Sequence, residues 1–224
     1  SAAFITGTPI TTVPAPANLS ELGELDWAYW SSGSASGVAS QAPTNRMADT
    51  TDLIGDVTAV GGGSVRGSST KTSISVAYSD GVSPTSSAGV TIAGAFNTGI
   101  GIQDRGVEVS VVLPDTQQYQ VTLFVSGFYA VGEFTASLAG AIPYVDDSFS
   151  YDGGTKPGRA YEIIAQADNP GDVLSFTYVA TTIRENNSNG HVLIGAVAIS
   201  AVPEPTSLAL LAPLGVLALR RRRA

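Results

Sequence analysis

Val107-Glu108-Val109-Ser110-Val111-Val112-Leu113-Pro114-Asp115-Thr116-Gln117-Gln118-Tyr119-Gln120-Val121-Thr122-Leu123-Phe124-Val125-Ser126 is the stretch that decides the fold class. Val107, Val109, Val111 and Leu113 alternate with Glu108, Ser110 and Val112. Tyr119, Val121, Leu123 and Val125 then alternate with Gln120, Thr122, Phe124 and Ser126. A period of two puts every second side chain on one face, so both segments read as half-buried strands. Leu113-Pro114-Asp115-Thr116 between them reads as a turn, with proline ending one strand and aspartate placed to bond its neighbouring backbone.

Outward from this pair, further strands are expected at 71–79, 89–102 with a break, 131–139, 159–166, 172–180 and 190–200. Asp152-Gly153-Gly154, Asn169-Pro170-Gly171-Asp172 and Asn186-Asn187-Ser188-Asn189-Gly190 punctuate them. The last, Val192 to Ile199, is apolar on both faces, which suits a central strand of a two-layer structure. No stretch of the body carries a capped 3.6-residue stripe, and no fixed repeat is visible. Residues 1–17, with Pro9, Pro14 and Pro16, read as an extended lead-in, although Phe4 and Ile5 would fit an edge strand. The expectation is an all-β, jelly-roll-like β-sandwich over 18–201, followed at 202–224 by a short hydrophobic helix and a basic end.

Composition narrows the function classes. The 224 residues fit one domain of sandwich size. The chain has 11 Lys plus Arg against 19 Asp plus Glu. With Arg220 to Arg223 and Glu204 set aside, residues 1–200 carry 7 basic against 18 acidic side chains, net −11. Such a body lacks the clustered cations that nucleic-acid phosphates require. Zero cysteines excludes disulfides, thiolate metal sites and cysteine nucleophiles, and the single His191 excludes a multi-histidine metal site. Charged residues are 13% of the chain, as expected for an exported, weakly charged β protein.

Both ends point to export. Ser1-Ala2-Ala3, without an initiator methionine, reads as a start at or near a signal-peptide cleavage point, although a cloning boundary would look the same. At the other end Val202-Pro203-Glu204-Pro205-Thr206-Ser207 leads into the apolar run Leu208 to Leu219, which stops at Arg220-Arg221-Arg222-Arg223. As a helix that run would rise about 18 Å at ~1.5 Å per residue, short of a ~30 Å hydrocarbon core, and Pro213 weakens it. Four arginines after it read as a cytoplasmic stop under the positive-inside rule, which places the body outside the inner membrane. Pro203-Glu204-Pro205, the short hydrophobic helix and the terminal arginines resemble the PEP-CTERM sorting signal of Gram-negative bacteria. The resemblance covers residues 203 to the end. It implies a transient inner-membrane anchor, cleavage near the Pro-Glu-Pro by an exosortase-type processing enzyme, delivery to the cell surface or extracellular matrix, and a link to extracellular polysaccharide.

Asn18-Leu19-Ser20-Glu21-Leu22-Gly23-Glu24-Leu25-Asp26-Trp27-Ala28-Tyr29-Trp30 is the most distinctive segment of the body. Trp27, Tyr29 and Trp30 are the candidate binding residues, since a Trp face stacks on a sugar ring; their alternative role is as anchors of the core. With Asn45-Arg46-Met47, Tyr78-Ser79-Asp80-Gly81, Leu123 to Ala130 and Glu133 to Leu138, this segment resembles a recurrent bacterial β-sandwich module found beside carbohydrate-active domains. The resemblance covers residues 18–200. Tyr29 stands where His is common in that module and Met47 where Lys is common, and the resemblance implies no catalytic set.

Acidic loops supply a candidate calcium site at Asp146, Asp147 and Asp152, with Asp168, Asn169 and Asp172 as a second group; solvated turn acids are the alternative. A glycosidase needs two facing carboxylates, which a count of scattered acids does not demonstrate. A serine triad would have to use His191 without any Gly-x-Ser-x-Gly elbow, and Gly61-Gly62-Gly63 opens no helix that would cradle phosphate. The sequence therefore predicts a non-catalytic surface or matrix protein that binds polysaccharide. The alternatives are a structural protein that self-associates and, third, a carbohydrate-active enzyme.

Overall fold

The structure, a computed structural model, describes residues 2–31 and 37–203. In chain order its strands begin with β1 (Phe4–Ile10), β2 (Ala17–Asn18), β3 (Asp26–Tyr29), β4 (Ser40–Gln41), β5 (Asn45–Arg46) and β6 (Val57–Val60). There follow β7 (Val65–Gly67), β8 (Ser75–Tyr78), β9 (Ser87–Thr91), β10 (Ala95–Asn97), β11 (Arg105–Val112) and β12 (Gln118–Phe128). The last five are β13 (Ala130–Ser137), β14 (Tyr144–Tyr151), β15 (Arg159–Gln166), β16 (Val173–Ile183) and β17 (His191–Ala201). Among the described residues helix is confined to single turns, α1 at Leu19–Leu22 and a 3₁₀ turn at Arg184–Asn186. Among the described residues no helix is long and apolar enough to cross a membrane. The apolar run and arginines of the tail lie outside the described residues.

Strand pairing makes the body a jelly roll. The eight strands β10 to β17 pair from the outside inward: β10 with β17, β11 with β16, β12 with β15, and β13 with β14. Lateral pairing of β12 with β17 and of β13 with β16 then gives two sheets, ordered β10-β17-β12-β15 and β11-β16-β13-β14. This is a long hairpin folded on itself and split into two layers. The sandwich interior holds the inward set of the two diagnostic strands: Val107, Val109, Val111, Leu113, Tyr119, Val121, Leu123 and Val125 are all buried in the main core.

The first 91 residues add to this frame. β1 extends the large sheet by pairing along β15, from Phe4 opposite Gln166 to Ile10 opposite Ala160. The lead-in thus starts as a seven-residue edge strand containing Phe4 and Ile5. β3 pairs with the Ala196–Ile199 part of β17, beside the stretch that β10 occupies. A third, three-stranded sheet, β2-β8-β9, lies over the outer face of the large sheet. Its Val76 and Tyr78 close a second core with Trp27, Tyr29, Phe124, Ala160, Ala196 and Ala198. Strand β17 is apolar on both faces because there are three layers here: Val197 and Ile199 face the sandwich interior, while Ala196 and Ala198 face the cap. Small side chains on the cap side leave room for the Trp27 and Tyr29 rings.

Candidate functional site

The expected aromatic platform does not form. Trp27 and Trp30 have no exposed surface, and Tyr29 is 3% exposed. Their strand alternates: Trp27 and Tyr29 enter the cap-side core, whereas Ala28 and Trp30 enter the main core. Two Trp three residues apart therefore point to opposite faces of the sheet and share no surface. Their polar ends are used internally. Trp27 Nε1 donates to Asp80 Oδ1 at 2.9 Å, Trp30 Nε1 donates to the Gln41 carbonyl at 2.9 Å, and the Tyr29 and Tyr78 hydroxyls lie 3.3 Å apart. Burial and that hydroxyl pair push the Tyr29 phenol well above its usual range.

The calcium expectation also meets a different arrangement. Asp146 and Asp147 are neighbours on β14 and so leave opposite faces of the strand. Asp146 Oδ1 accepts from the Ser148 hydroxyl at 2.7 Å and from the Tyr161 hydroxyl at 3.1 Å. Asp152 pairs with Arg184 at 3.1 Å and accepts from Ser150. Asp172 Oδ2 accepts the Asn169 N–H at 3.0 Å, an ordinary turn contact. Among the described residues no three acidic or histidine side chains converge as a metal cage. Of the sorting-signal residues only Pro203 is described, and it is exposed; Glu204, Pro205 and Arg220 to Arg223 lie outside the described residues.

A site the sequence reading did not assemble lies on the open half of the same sheet face. Register places Phe128 on β12 opposite His191 on β17, and Phe96 on β10 opposite both Leu193 on β17 and Arg66 on β7. Directly opposed residues share a face, as do His191 and Leu193 two apart, so four adjacent strands present one row. The row is continuous. The Arg66 guanidinium sits 5.0 Å over the Phe96 ring; Phe96 stacks on His191 at 4.5 Å between centroids; His191 faces Phe128 at 5.9 Å; and Lys156 Nζ stands 5.9 Å from the Phe128 centroid. Ser68, Ser69, Thr70, Ile100 and Asn189 complete a cleft of about 220 Å³.

Lys156 comes from the loop after β14, which is tied down at three points. The Ser73 N–H donates to the Lys156 carbonyl at 2.9 Å, the Ser126 hydroxyl to the Pro157 carbonyl at 2.8 Å, and the Gly158 N–H to Ser73 Oγ at 2.6 Å. The side chain is 8% exposed, and its hydrogen bond runs to Ser68 Oγ at 2.7 Å. Burial lowers its pKa to about 8. His191 Nδ1 lies 2.6 Å from the Asn189 carbonyl, which fixes the proton on Nδ1, while Nε2 is buried with no partner. Burial first, and then the charges of Lys156 and Arg66, lower the His191 pKa to about 4. Arg66 Nε is likewise buried without a partner. A second cavity of about 400 Å³ adjoins the cleft along Thr70–Ser73 and Gly154–Pro157, sharing Thr70 and Lys156 with it. His191 opens β17, and its neighbours Phe96 and Phe128 are brought to it by cross-strand register and not by proximity in the chain. The one sequence-level signal was the pair Phe128 and His191 at facing strand ends.

Fold and cleft together define a jelly-roll sandwich with an aromatic, cation-rimmed recess on its outer face. No family model and no curated protein sequence matches the chain. Among solved structures it is similar to CBM35 from Cellvibrio japonicus Abf62, at 15% identity and TM-score 0.30, covering 48% of this chain and 77% of that one. It is also similar to an exo-beta-1,3-galactanase from Phanerochaete chrysosporium solved with beta-1,3-galactotriose (13% identity, TM-score 0.26, 47% of this chain and 25% of that one). A third is a beta-glucosidase from Kluyveromyces marxianus in complex with glucose (16% identity, TM-score 0.25, 45% and 11%). At these scores the likenesses bear on neither ligand nor activity, and the jelly roll rests on its own strand pairing.

Proposed function

We propose that this protein is a non-catalytic surface module that binds polysaccharide through the outer-face cleft. The observation that carries this reading is the row Arg66–Phe96–His191–Phe128–Lys156: the half-buried Phe128 and His191 rings, backed by the buried Phe96, in a recess rimmed by the hydroxyls of Ser68, Ser69 and Thr70 and the Asn189 amide. A sugar ring offers an apolar C–H face to an aromatic ring and hydroxyls to such a rim. Among the described residues no carboxylate lines the cleft, so these residues offer no acid–base pair for glycosidic cleavage. Affinity electrophoresis of the full chain against a panel of neutral and acidic polysaccharides tests the reading. Phe128→Ala is expected to weaken retardation by about tenfold, corresponding to ~1.4 kcal/mol of lost stacking. Unretarded wild-type protein across the whole panel would overturn it.

Export is the second half of the proposal. The tail that resembles a PEP-CTERM signal would hold the body at the outer side of the inner membrane until an exosortase releases it to the surface or matrix. The Val202 N–H still donates to the Gln118 carbonyl at 2.9 Å, and Pro203 beyond it is exposed. Cleavage after that point would leave β17 paired along its length. Intact mass of protein recovered from the native cell surface reads this directly: loss of everything after about Pro203 supports processing, and a full-length membrane-bound mass contradicts it.

A further inference from the structure

We infer that the cleft takes an acidic sugar of a polysaccharide, its anionic group drawn in by Arg66 and Lys156 at the two ends of the ring row. This rests on the cleft being the glycan site and goes on to name the class of glycan. The central observation is positive charge without a counter-charge. Lys156 is 8% exposed, yet its hydrogen bond goes to a neutral hydroxyl. Among the described residues neither Lys156 nor Arg66 makes an ion pair; the two pairs present are Arg46 with Asp52 and Arg184 with Asp152. A buried unpaired charge is expensive, and a fold retains one where a ligand supplies the missing partner. Arg66 Nε and His191 Nε2, both buried and unpartnered, are two more nitrogens in the same recess. In a body of net −11, a recess lined by two cations and no acid stands apart from the rest of the surface.

The surroundings fit a sugar bearing the charge better than a free ion. The two cations lie at opposite ends of the ring row, beside Phe96 and beside Phe128, so the space between them is bordered by stacked aromatic rings. Arginine's planar fork suits carboxylate and sulfate alike, and lysine adds a point charge. The adjoining cavity that shares Lys156 and Thr70 gives a second sugar of the same chain a place to lie.

Affinity electrophoresis at fixed ionic strength tests the inference with three polymers: polygalacturonate, its carboxyl-reduced neutral galactan, and dextran sulfate. The full chain is expected to be retarded at least tenfold more by one acidic polymer than by the neutral galactan, and which one identifies carboxylate or sulfate as the group bound. Lys156→Met and Arg66→Gln should each remove most of that preference. Met fills the lysine volume without burying a charge, so Lys156→Met should fold at least as well as wild type, and circular dichroism checks both variants. Equal retardation by acidic and neutral polymers, lost in Phe128→Ala, would overturn the inference and leave glycan binding at the cleft intact. No retardation by any polymer would overturn both. Acidic retardation that persists in the Lys156→Met, Arg66→Gln double variant would assign it to the terminal arginines and also overturn the inference.

Discussion

Asp26 is fully buried, and its Oδ2 accepts the backbone N–H groups of Leu53 and Ile54 at 2.8 and 3.0 Å, while Oδ1 has no partner. Burial raises its pKa against the pull of those two hydrogen bonds. The folded protein therefore holds this proton above the pH at which the unfolded chain releases it, and the Asp26 contribution to stability falls as pH rises through and above 4. Asp26→Ala would strand two buried N–H groups and is expected to cost about 2–4 kcal/mol, read as a lower urea midpoint. An unchanged midpoint would show that water or backbone movement satisfies them. Trp27→Ala and Trp30→Ala belong to the same scale. Each empties a fully buried ring site, so each is expected to lose about 3–5 kcal/mol of stability, where surface platforms would have lost binding at constant stability. The tryptophans were legible as important; which way they point was not, because the face of a strand depends on what covers the sheet.

The strands that read most clearly in the sequence are those with one wet face. β11 follows the expected alternation and β15 falls at 159–166 as expected, whereas β12 is buried on both faces from Val121 to Gly127, where Phe124 lies under the cap. The element that misled was β17, whose two apolar faces report a third layer. β2 to β7 and β14 were not anticipated; β14 hides behind acidic and serine residues, and β2 to β7 are two to four residues long. One position tests the pairing of β11 with β16. A Cβ on Gly106 of β11 would press on the Tyr178 carbonyl and lie 2.6 Å from Val179 Cα of β16. Backbone cannot rotate aside, so Gly106→Ala should separate the strands and cost about 1–3 kcal/mol, measured by thermal melting; a wild-type melt would contradict the tight β11–β16 register.

Across the whole molecule, the acidic body and its recess set how binding responds to pH. Lys156 carries its charge below about pH 8, and His191 is already neutral above about pH 4, with Arg66 and Lys71 the other cations facing the two cavities. Affinity for an acidic glycan is therefore expected to fall between pH 7 and pH 9 as Lys156 loses its proton. Stability moves the other way: an unfolded lysine keeps its proton to about 10.4, so from pH 8 upward the unfolded chain binds more protons and the fold gains. Flat affinity across that window would remove Lys156 from the site. The recess was invisible in the sequence for a geometric reason. Arg66, Phe96, Phe128, Lys156 and His191 come from five separate segments, and only the jelly-roll register lines them up. The measurement that reads this most directly is amide hydrogen exchange of the full chain with and without polygalacturonate. The account predicts slowed exchange around residues 66–70, 96–100, 154–157 and 189–191. Slowing centred on residues 26–30, or no slowing anywhere, would contradict it.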